Sequence, residues 1–166
     1  MVERIVEFLE AAGYWGIALL MFLENVFPPL PSELIMPFAG FAASRGDLHL
    51  IVVIAVGTVG SLLGAAPWYW AGRALGRERL ARWADRHGEW LTLSASDVDA
   101  AYDWFKRHCG KAVLLGRLVP AVRTLISVPA GIAEMAPVRF ILFTTVGSAV
   151  WNAALAIAEA AFQTAL

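Results

Sequence analysis

The amino-acid sequence predicts an all-α integral membrane protein. Of its 166 residues, 59% are hydrophobic and only 16% are charged, whereas about 25% of the residues in a soluble domain are charged. The mean hydropathy is +0.64, and several long segments contain no charged residue. This composition leaves too little polar surface to cover a water-soluble globule. The net charge of −1 does not suggest a nucleic-acid partner.

Two segments, residues 48–72 and 138–160, are typical of ordinary transmembrane helices. Their uncharged cores are residues 50–72 and 140–158. A helix rises about 1.5 Å per residue, so each core is long enough to cross most or all of a hydrocarbon layer about 30 Å thick. The Trp-Tyr-Trp sequence at residues 68–70 resembles an interfacial aromatic belt.

Two further apolar segments, residues 4–44 and 112–133, are interrupted by proline. Proline lacks a backbone N–H and clashes with the preceding helical turn, so these segments cannot each form one continuous helix. Irregular backbone is tolerated at membrane depth only where protein or water surrounds it. We therefore expect two re-entrant hairpins, whose structural residues are Pro28, Pro31 and Gly40 in the first and Pro120, Pro129 and Gly131 in the second.

Residues 73–111 form the polar connector between these parts. The connector holds eight Lys and Arg residues against six acids, and an excess of Lys and Arg is typical of cytoplasmic loops. Its apolar spacing predicts an amphipathic helix from Arg73 to Leu91. A second helix is expected to start after Ser94 or Ser96 and to end at Gly110.

A short internal repeat relates the two proline-broken segments. Residues 31–40 align without gaps on residues 122–131, with Leu, Ile, Ala and Gly at matching positions. Each segment leads into an uncharged apolar helix. With a cytoplasmic connector, the two hairpins would enter the membrane from opposite sides. That arrangement is the inverted repeat in which transporters place a midplane site.

Four charged residues, Glu24, Glu33, Arg117 and Arg123, lie within or beside the apolar segments. Each such charge costs about 2.5–3.5 kcal/mol at the bilayer centre, so pairing the two acids with the two arginines is the cheapest arrangement. The pairs could simply hold the hairpins together. Alternatively, the arginines bind an anion, because a guanidinium fork suits phosphate or carboxylate, and the acids take up protons.

Other polar residues suggest no covalent chemistry. The three histidines have no metal-ligand spacing, and Ser32 and Ser127 have no general base beside them in the sequence, so backbone hydrogen bonds are the simpler role for these serines. Asn152 could bond another helix or line the site. The single cysteine, Cys109, excludes an intramolecular disulfide. We expect no metal, no cofactor, no catalytic residue and no enzymatic activity.

The residues around these charges resemble the DedA family, also called the SNARE-associated or VTT-domain membrane proteins. The matching elements are Glu24-x-x-x-Pro28-x-x-Pro31-Ser-Glu33, Pro37-Phe-Ala-Gly40, Gly116-Arg-Leu-Val-Pro120-Ala-Val-Arg123 and Pro129-Ala-Gly131, with Trp151 in the last apolar helix. The Gly-Arg-x-x-Pro-x-x-Arg element is the most specific part. The resemblance covers residues from about 10 to about 155.

The resemblance implies a multi-pass protein of the bacterial inner membrane. It implies transport of a phosphate-bearing lipid, most simply the recycling of undecaprenyl phosphate driven by the proton motive force. The family's arginine pair corresponds to Arg117 and Arg123, which would bind the lipid headgroup, and its acidic pair to Glu24 and Glu33, which would couple protons. The expected partners are membrane lipids and protons, with monomer and homo-oligomer both open.

Two other functions remain open from the sequence. A proton-coupled transporter of small ions or cationic compounds could use the same carboxylates. A membrane scaffold that transports nothing could use all four charges only as structural ion pairs. A saturable, phosphate-dependent stabilisation would distinguish a lipid transporter from the scaffold.

Overall fold

The computed structural model describes residues 2–27, 32–46, 48–91, 95–120 and 122–164. These residues form six helices and no strands. The helices are α1 (Val2–Val26), α2 (Ser32–Ser44), α3 (Leu50–Leu91), α4 (Ala95–Arg117), α5 (Ser127–Ile132) and α6 (Pro137–Thr164). The expected all-helical architecture is confirmed for the described part of the chain. Pro28 and Pro31 lie outside it.

Two helices are long and apolar enough to cross a membrane, over Leu50–Arg82 in α3 and Pro137–Glu159 in α6. Large apolar side chains on both are exposed, among them Ile51 at 81% and Val138 at 78%. Exposing so many apolar side chains to water would be unfavourable. The apolar surface of these two helices is therefore suited to contact with lipid.

The helices break where glycine adopts a conformation that other residues rarely reach. Within α1 the break is at Gly13, with φ 54° and ψ −132°. Within α3 it is at Gly76, with φ 67° and ψ 164°. A positive φ is readily adopted by glycine because it lacks a Cβ. The predicted boundary between the apolar helix and the connector helix therefore shifts from Arg73 to Gly76.

The chain divides into two compact units, residues 1–65 with 145–166 and residues 66–144. In the first unit, α1 and α2 pack together around a core of buried apolar side chains. The core also receives one residue from α3 and one from α6; its members are Ile17, Met21, Ile35, Met36, Ala39, Val53 and Ala156. The prolines were expected to break residues 4–44, and α1 does end at Val26, but Pro37 lies inside α2.

Glycine allows close approach between helices in this first unit. A Cβ built on Gly64 would lie 2.6 Å from Cβ of Asn25 and would also collide with the carbonyl oxygen of Phe22. A Cβ on Gly40 would collide with the backbone of Ala156. These contacts bring α1 against α3 and α2 against α6.

The second unit is held by contacts of α5 with its neighbours. A Cβ on Gly131 in α5 would collide with the carbonyl oxygen of Tyr69 in α3. The Tyr69 hydroxyl donates a hydrogen bond to the carbonyl oxygen of Met135, and the Tyr69 ring stacks on Phe140 with centroids 4.3 Å apart. Tyr69 is only 2% exposed, so it is a packing residue and not part of an interfacial belt.

The helix α4 is longer than the sequence predicts, because Gly110 does not end it. A Cβ at Gly110 would lie 2.6 Å from two ring carbons of Phe143, which shows that this glycine provides room for an aromatic side chain. The helix continues to Arg117. It thereby takes in the start of the segment 112–133 that was expected to form the second hairpin.

The polar connector carries one described ion pair between α3 and α4. Nε of Arg77 lies 2.7 Å from Oδ1 of Asp99. The hydrogen bond that Arg77 donates holds the pKa of Asp99 below its usual value. Asp99 therefore stays ionised at neutral pH, and its contribution to stability would be lost only as pH falls through that lowered pKa. Both side chains are exposed, so this pair contributes little.

Candidate functional site

Arg117 is the last residue of α4 and one of the most deeply buried side chains of the protein. Its exposed fraction is 1%. Its Nη2 atom donates a hydrogen bond of 2.8 Å to Oγ of Ser127, the first residue of α5. Close packing at the preceding residue supports this geometry, because a Cβ on Gly116 would lie 2.7 Å from Cγ1 of Ile126.

Arg123 lies in the turns that connect α4 to α5. Its backbone N–H donates a hydrogen bond of 2.9 Å to the carbonyl oxygen of Val119, and its side chain is 2% exposed. The neighbouring Pro120 is exposed. Only five residues separate Arg117 from Arg123 in the sequence. Each buried guanidinium group would be very unfavourable in an apolar interior without compensating contacts.

Glu24 is buried near the end of α1, with 4% of the residue exposed. Nδ2 of Asn25 donates a hydrogen bond of 2.9 Å to its Oε2 and another of 2.9 Å to the carbonyl oxygen of Met21. Asn25 itself is fully buried. The Glu24 carboxylate therefore has a hydrogen-bond donor beside it on the same helix.

Glu33 differs from Glu24 because it is exposed. It lies in the first turn of α2 and lines a cavity of about 310 Å³ together with Leu34, Pro37, Phe38, Phe41 and Glu159. The two acids therefore belong to the same unit but have different environments. The two arginines belong to the other unit.

The predicted structural residues of the hairpins occupy packed and turn positions. Gly40 and Gly131 both abut the backbone of a long helix. Pro129 is the third residue of α5, where the first helical turn tolerates proline because its N–H has no intrahelical partner. Its side chain is exposed.

Two polar residues beside the charged groups were not predicted. Ser127 was expected to bond the backbone, but its hydroxyl accepts from Arg117. Asn25 is not among the predicted site residues, although an amide next to an acid inside an apolar helix indicates a side-chain hydrogen bond. For Asn152 the structure supports the interhelical bond, since its Nδ2 donates to Oγ1 of Thr58 in α3 at 3.4 Å.

No group of three His, Cys, Asp or Glu side chains that could hold a metal occurs among the described residues. His49 and His108 are exposed. Nδ1 of His108 lies 3.0 Å from the carbonyl oxygen of Trp104 one turn earlier in α4. Its ring also stacks on that of Trp104.

Comparison with known proteins finds relatives that align with most of the chain. The chain is 38% identical over 152 residues to undecaprenyl phosphate transporter A of Staphylococcus aureus, covering 92% of this chain and 75% of that protein. It is 41% identical over 156 residues to an alkaline phosphatase-like protein of Lactococcus lactis subsp. cremoris, covering 93% and 73%. Identity to the protein DedA of Escherichia coli is 26% over 156 residues, covering 89% and 69%.

No solved structure matches the chain. The VTT domain matches residues 30–160, which include Glu33, both buried arginines and both apolar helices. The match and the relatives confirm the resemblance found in the motifs. The chain therefore belongs to the VTT-domain family of DedA membrane proteins.

Proposed function

We propose that this protein carries undecaprenyl phosphate across the bacterial inner membrane, with Arg117 and Arg123 binding the lipid phosphate. The observation that carries the proposal is the burial of both guanidinium groups within one short segment of an apolar protein. The name of the Staphylococcus aureus relative supports the choice of lipid. A polyprenyl tail can remain in the bilayer while the protein shields the charged headgroup.

The contacts of Arg117 suit a phosphate ligand. The hydrogen bond to Ser127 fixes the orientation of the Arg117 guanidinium, and the planar fork leaves several N–H donors in a rigid arrangement. The Ser127 hydroxyl accepts that bond and still has its own proton to donate. Arginine is favoured over lysine for such a site, because bidentate contact with phosphate adds specificity as well as energy.

Proton coupling is the proposed role of Glu24 and Glu33. Each acid can lose its charge by taking up a proton. We propose that this change of charge controls when Arg117 and Arg123 bind the lipid phosphate. Glu24 is buried and Glu33 is exposed. We therefore expect Glu33 to exchange protons with water more readily than Glu24.

Alternating exposure of two re-entrant hairpins is the proposed path of the headgroup. Support comes from Gly40 and Gly131, which occupy matching positions of the short internal repeat. Gly40 packs against the backbone of α6, and Gly131 packs against the backbone of α3. Each of the two proline-containing segments thus contacts the long apolar helix that follows the other segment in sequence, and this exchange supports the proposed inverted repeat.

Reconstitution tests the proposal directly. Purified protein is placed in liposomes that contain undecaprenyl phosphate in both leaflets, and a membrane-impermeant phosphatase is added outside. In protein-free vesicles only the outer-leaflet lipid should be hydrolysed, whereas vesicles with the protein should lose nearly all of it. An inner-leaflet pool that stays protected contradicts the proposal.

The same vesicles separate transport from hydrolysis. Without added phosphatase, the proposed non-covalent mechanism predicts no release of inorganic phosphate. Release that depends on the protein would support an enzyme instead, as the name of the Lactococcus lactis relative suggests for that relative. An inward or outward proton gradient should also change the rate of transport, because the site is proposed to exchange protons.

A further inference from the structure

Four small polar residues line the contact between α3 and α6 in the first unit. They are Thr58 and Ser61 on α3 and Ser148 and Asn152 on α6, and each is less than 10% exposed. Both helices are among the apolar helices long enough to cross a membrane. Alanine or valine would pack there without any polar atom to satisfy, so a polar stripe at this depth needs a partner.

The contacts show that the two helices run antiparallel in this unit. Val53 and Ala156 belong to the same buried cluster. Five residues further along α3 and four residues back along α6, Nδ2 of Asn152 lies 3.4 Å from Oγ1 of Thr58. Continued antiparallel packing would place Ser148 near the level of Ser61, about one turn further along.

Three atoms of this stripe have no hydrogen-bond partner among the described residues. They are Oγ of Ser61, Oγ of Ser148 and Oδ1 of Asn152, and all three are buried. Buried polar side-chain atoms in proteins nearly always have a protein or water partner. Two hydroxyls and one amide oxygen on these two helices could supply the two to four polar contacts that an internal water molecule requires.

We propose that Ser61, Ser148 and Asn152 bind a chain of water molecules between α3 and α6. This polar track is defined by Thr58, Ser61, Ser148 and Asn152. It does not depend on the identity of the transported lipid. Water bound there would give all three buried oxygens a hydrogen-bond partner.

The track leads toward the buried acid of the candidate site. Gly57, Ser61 and Gly64 lie on one face of α3, at the i, i+4 and i+7 positions. Asn152 packs against Gly57, and Asn25 packs against Gly64. The distance spanned along the helix is about 10 Å, and Asn25 donates its hydrogen bond to Glu24. Water in the track would therefore hydrate the surroundings of Glu24 from inside the protein.

Removal of the two hydroxyls tests the track. Ser61→Ala and Ser148→Ala are made in one protein, and the oxidation of the nearby Met36 by hydroxyl radicals from bound water is measured. Without the hydroxyls the track should hold less water, so Met36 should be oxidised at least about threefold more slowly than in the wild type. The controls, Val59→Ala and Val146→Ala, replace exposed apolar residues on the same two helices and should leave the oxidation of Met36 unchanged.

A second comparison keeps the test valid if the alanine variant does not fold. Radiolysis of the unmodified protein produces hydroxyl radicals from bound water and oxidises side chains next to it. Met36 is fully buried, and a Cβ on Gly57 would lie 3.1 Å from its Sδ, so it should be oxidised. Met135, which is 4% exposed and belongs to the second unit, is the matched control and should be oxidised much more slowly.

Oxidation of Met36 at the wild-type rate in the folded Ser61→Ala, Ser148→Ala protein would overturn the proposal. Oxidation of Met36 no faster than that of Met135 would do the same. Neither result bears on lipid transport, which the phosphatase assay measures separately. Failure of the track and failure of the proposed function are therefore distinguishable.

Discussion

Replacing Arg117 or Arg123 by alanine is expected to reduce undecaprenyl phosphate transport by about 10-fold to 100-fold, because each hydrogen-bonded contact to a charged group is worth about 1.5–3 kcal/mol. Both side chains are almost fully buried, so bulk water cannot replace them at the phosphate. The measurement is the rate at which inner-leaflet lipid becomes sensitive to external phosphatase. Arg139→Ala is the matched control, because Arg139 lies near the start of α6 and is exposed.

Lysine at the same positions separates charge from geometry. Arg117→Lys keeps the positive charge but loses the planar fork that donates to Ser127. We expect intermediate transport, with thermal stability closer to wild type than that of the alanine variant. Transport at the wild-type rate in folded Arg117→Ala and Arg123→Ala proteins contradicts the proposed phosphate site.

Gly40→Ala and Gly131→Ala are expected to destabilise the protein by about 1–3 kcal/mol each, the usual cost of adding a methyl group to a well-packed interior. In both cases the added Cβ would collide with backbone atoms, which cannot rotate away as a side chain can. At an open helical position the same change would stabilise by roughly 0.5–1 kcal/mol. The measurement is thermal or denaturant unfolding in detergent.

The control for the glycine variants is Ala154→Val on α6. Ala154 is exposed and lies two residues before Ala156, whose backbone abuts Gly40. A surface change of this kind should alter stability by no more than about 0.5 kcal/mol. If the glycine variants are as stable as Ala154→Val, the close helix contacts at Gly40 and Gly131 do not contribute to stability, and the prediction is wrong.

Composition and proline placement predict the apolar helices and one helix end, but the sequence does not predict the glycine positions at which a helix breaks or continues. Uncharged stretches and proline placement predict the apolar helices and the end of α1 near the Pro28–Pro31 motif. The break in α3 depends on a positive φ at Gly76, which has no distinctive local sequence. The sequence predicts a helix end at Gly110, but this glycine makes room for Phe143. In the local sequence such a glycine cannot be distinguished from one that ends a helix.

For the candidate site, the sequence identifies the four charged residues but not their environments. Glu24 follows Ile17 and Met21 on one helical face of α1, and all three are buried. The helical spacing of the apolar residues therefore predicts that Glu24 is buried. Glu33 is exposed although it lies three residues before the buried Met36, because it is in the first turn of α2. The partnership of Ser127 with Arg117 spans ten residues and depends on the turns between α4 and α5, which periodicity does not specify.

Native mass spectrometry of co-purified lipid tests the phosphate site most directly. Wild-type protein released from bacterial membranes should carry a bound mass equal to undecaprenyl phosphate. The folded double variant Arg117→Ala, Arg123→Ala should lose that mass while retaining ordinary phospholipids, and the Arg139→Ala control should keep it. A double variant that carries as much undecaprenyl phosphate as the wild type, or a wild-type protein that carries none, contradicts the account.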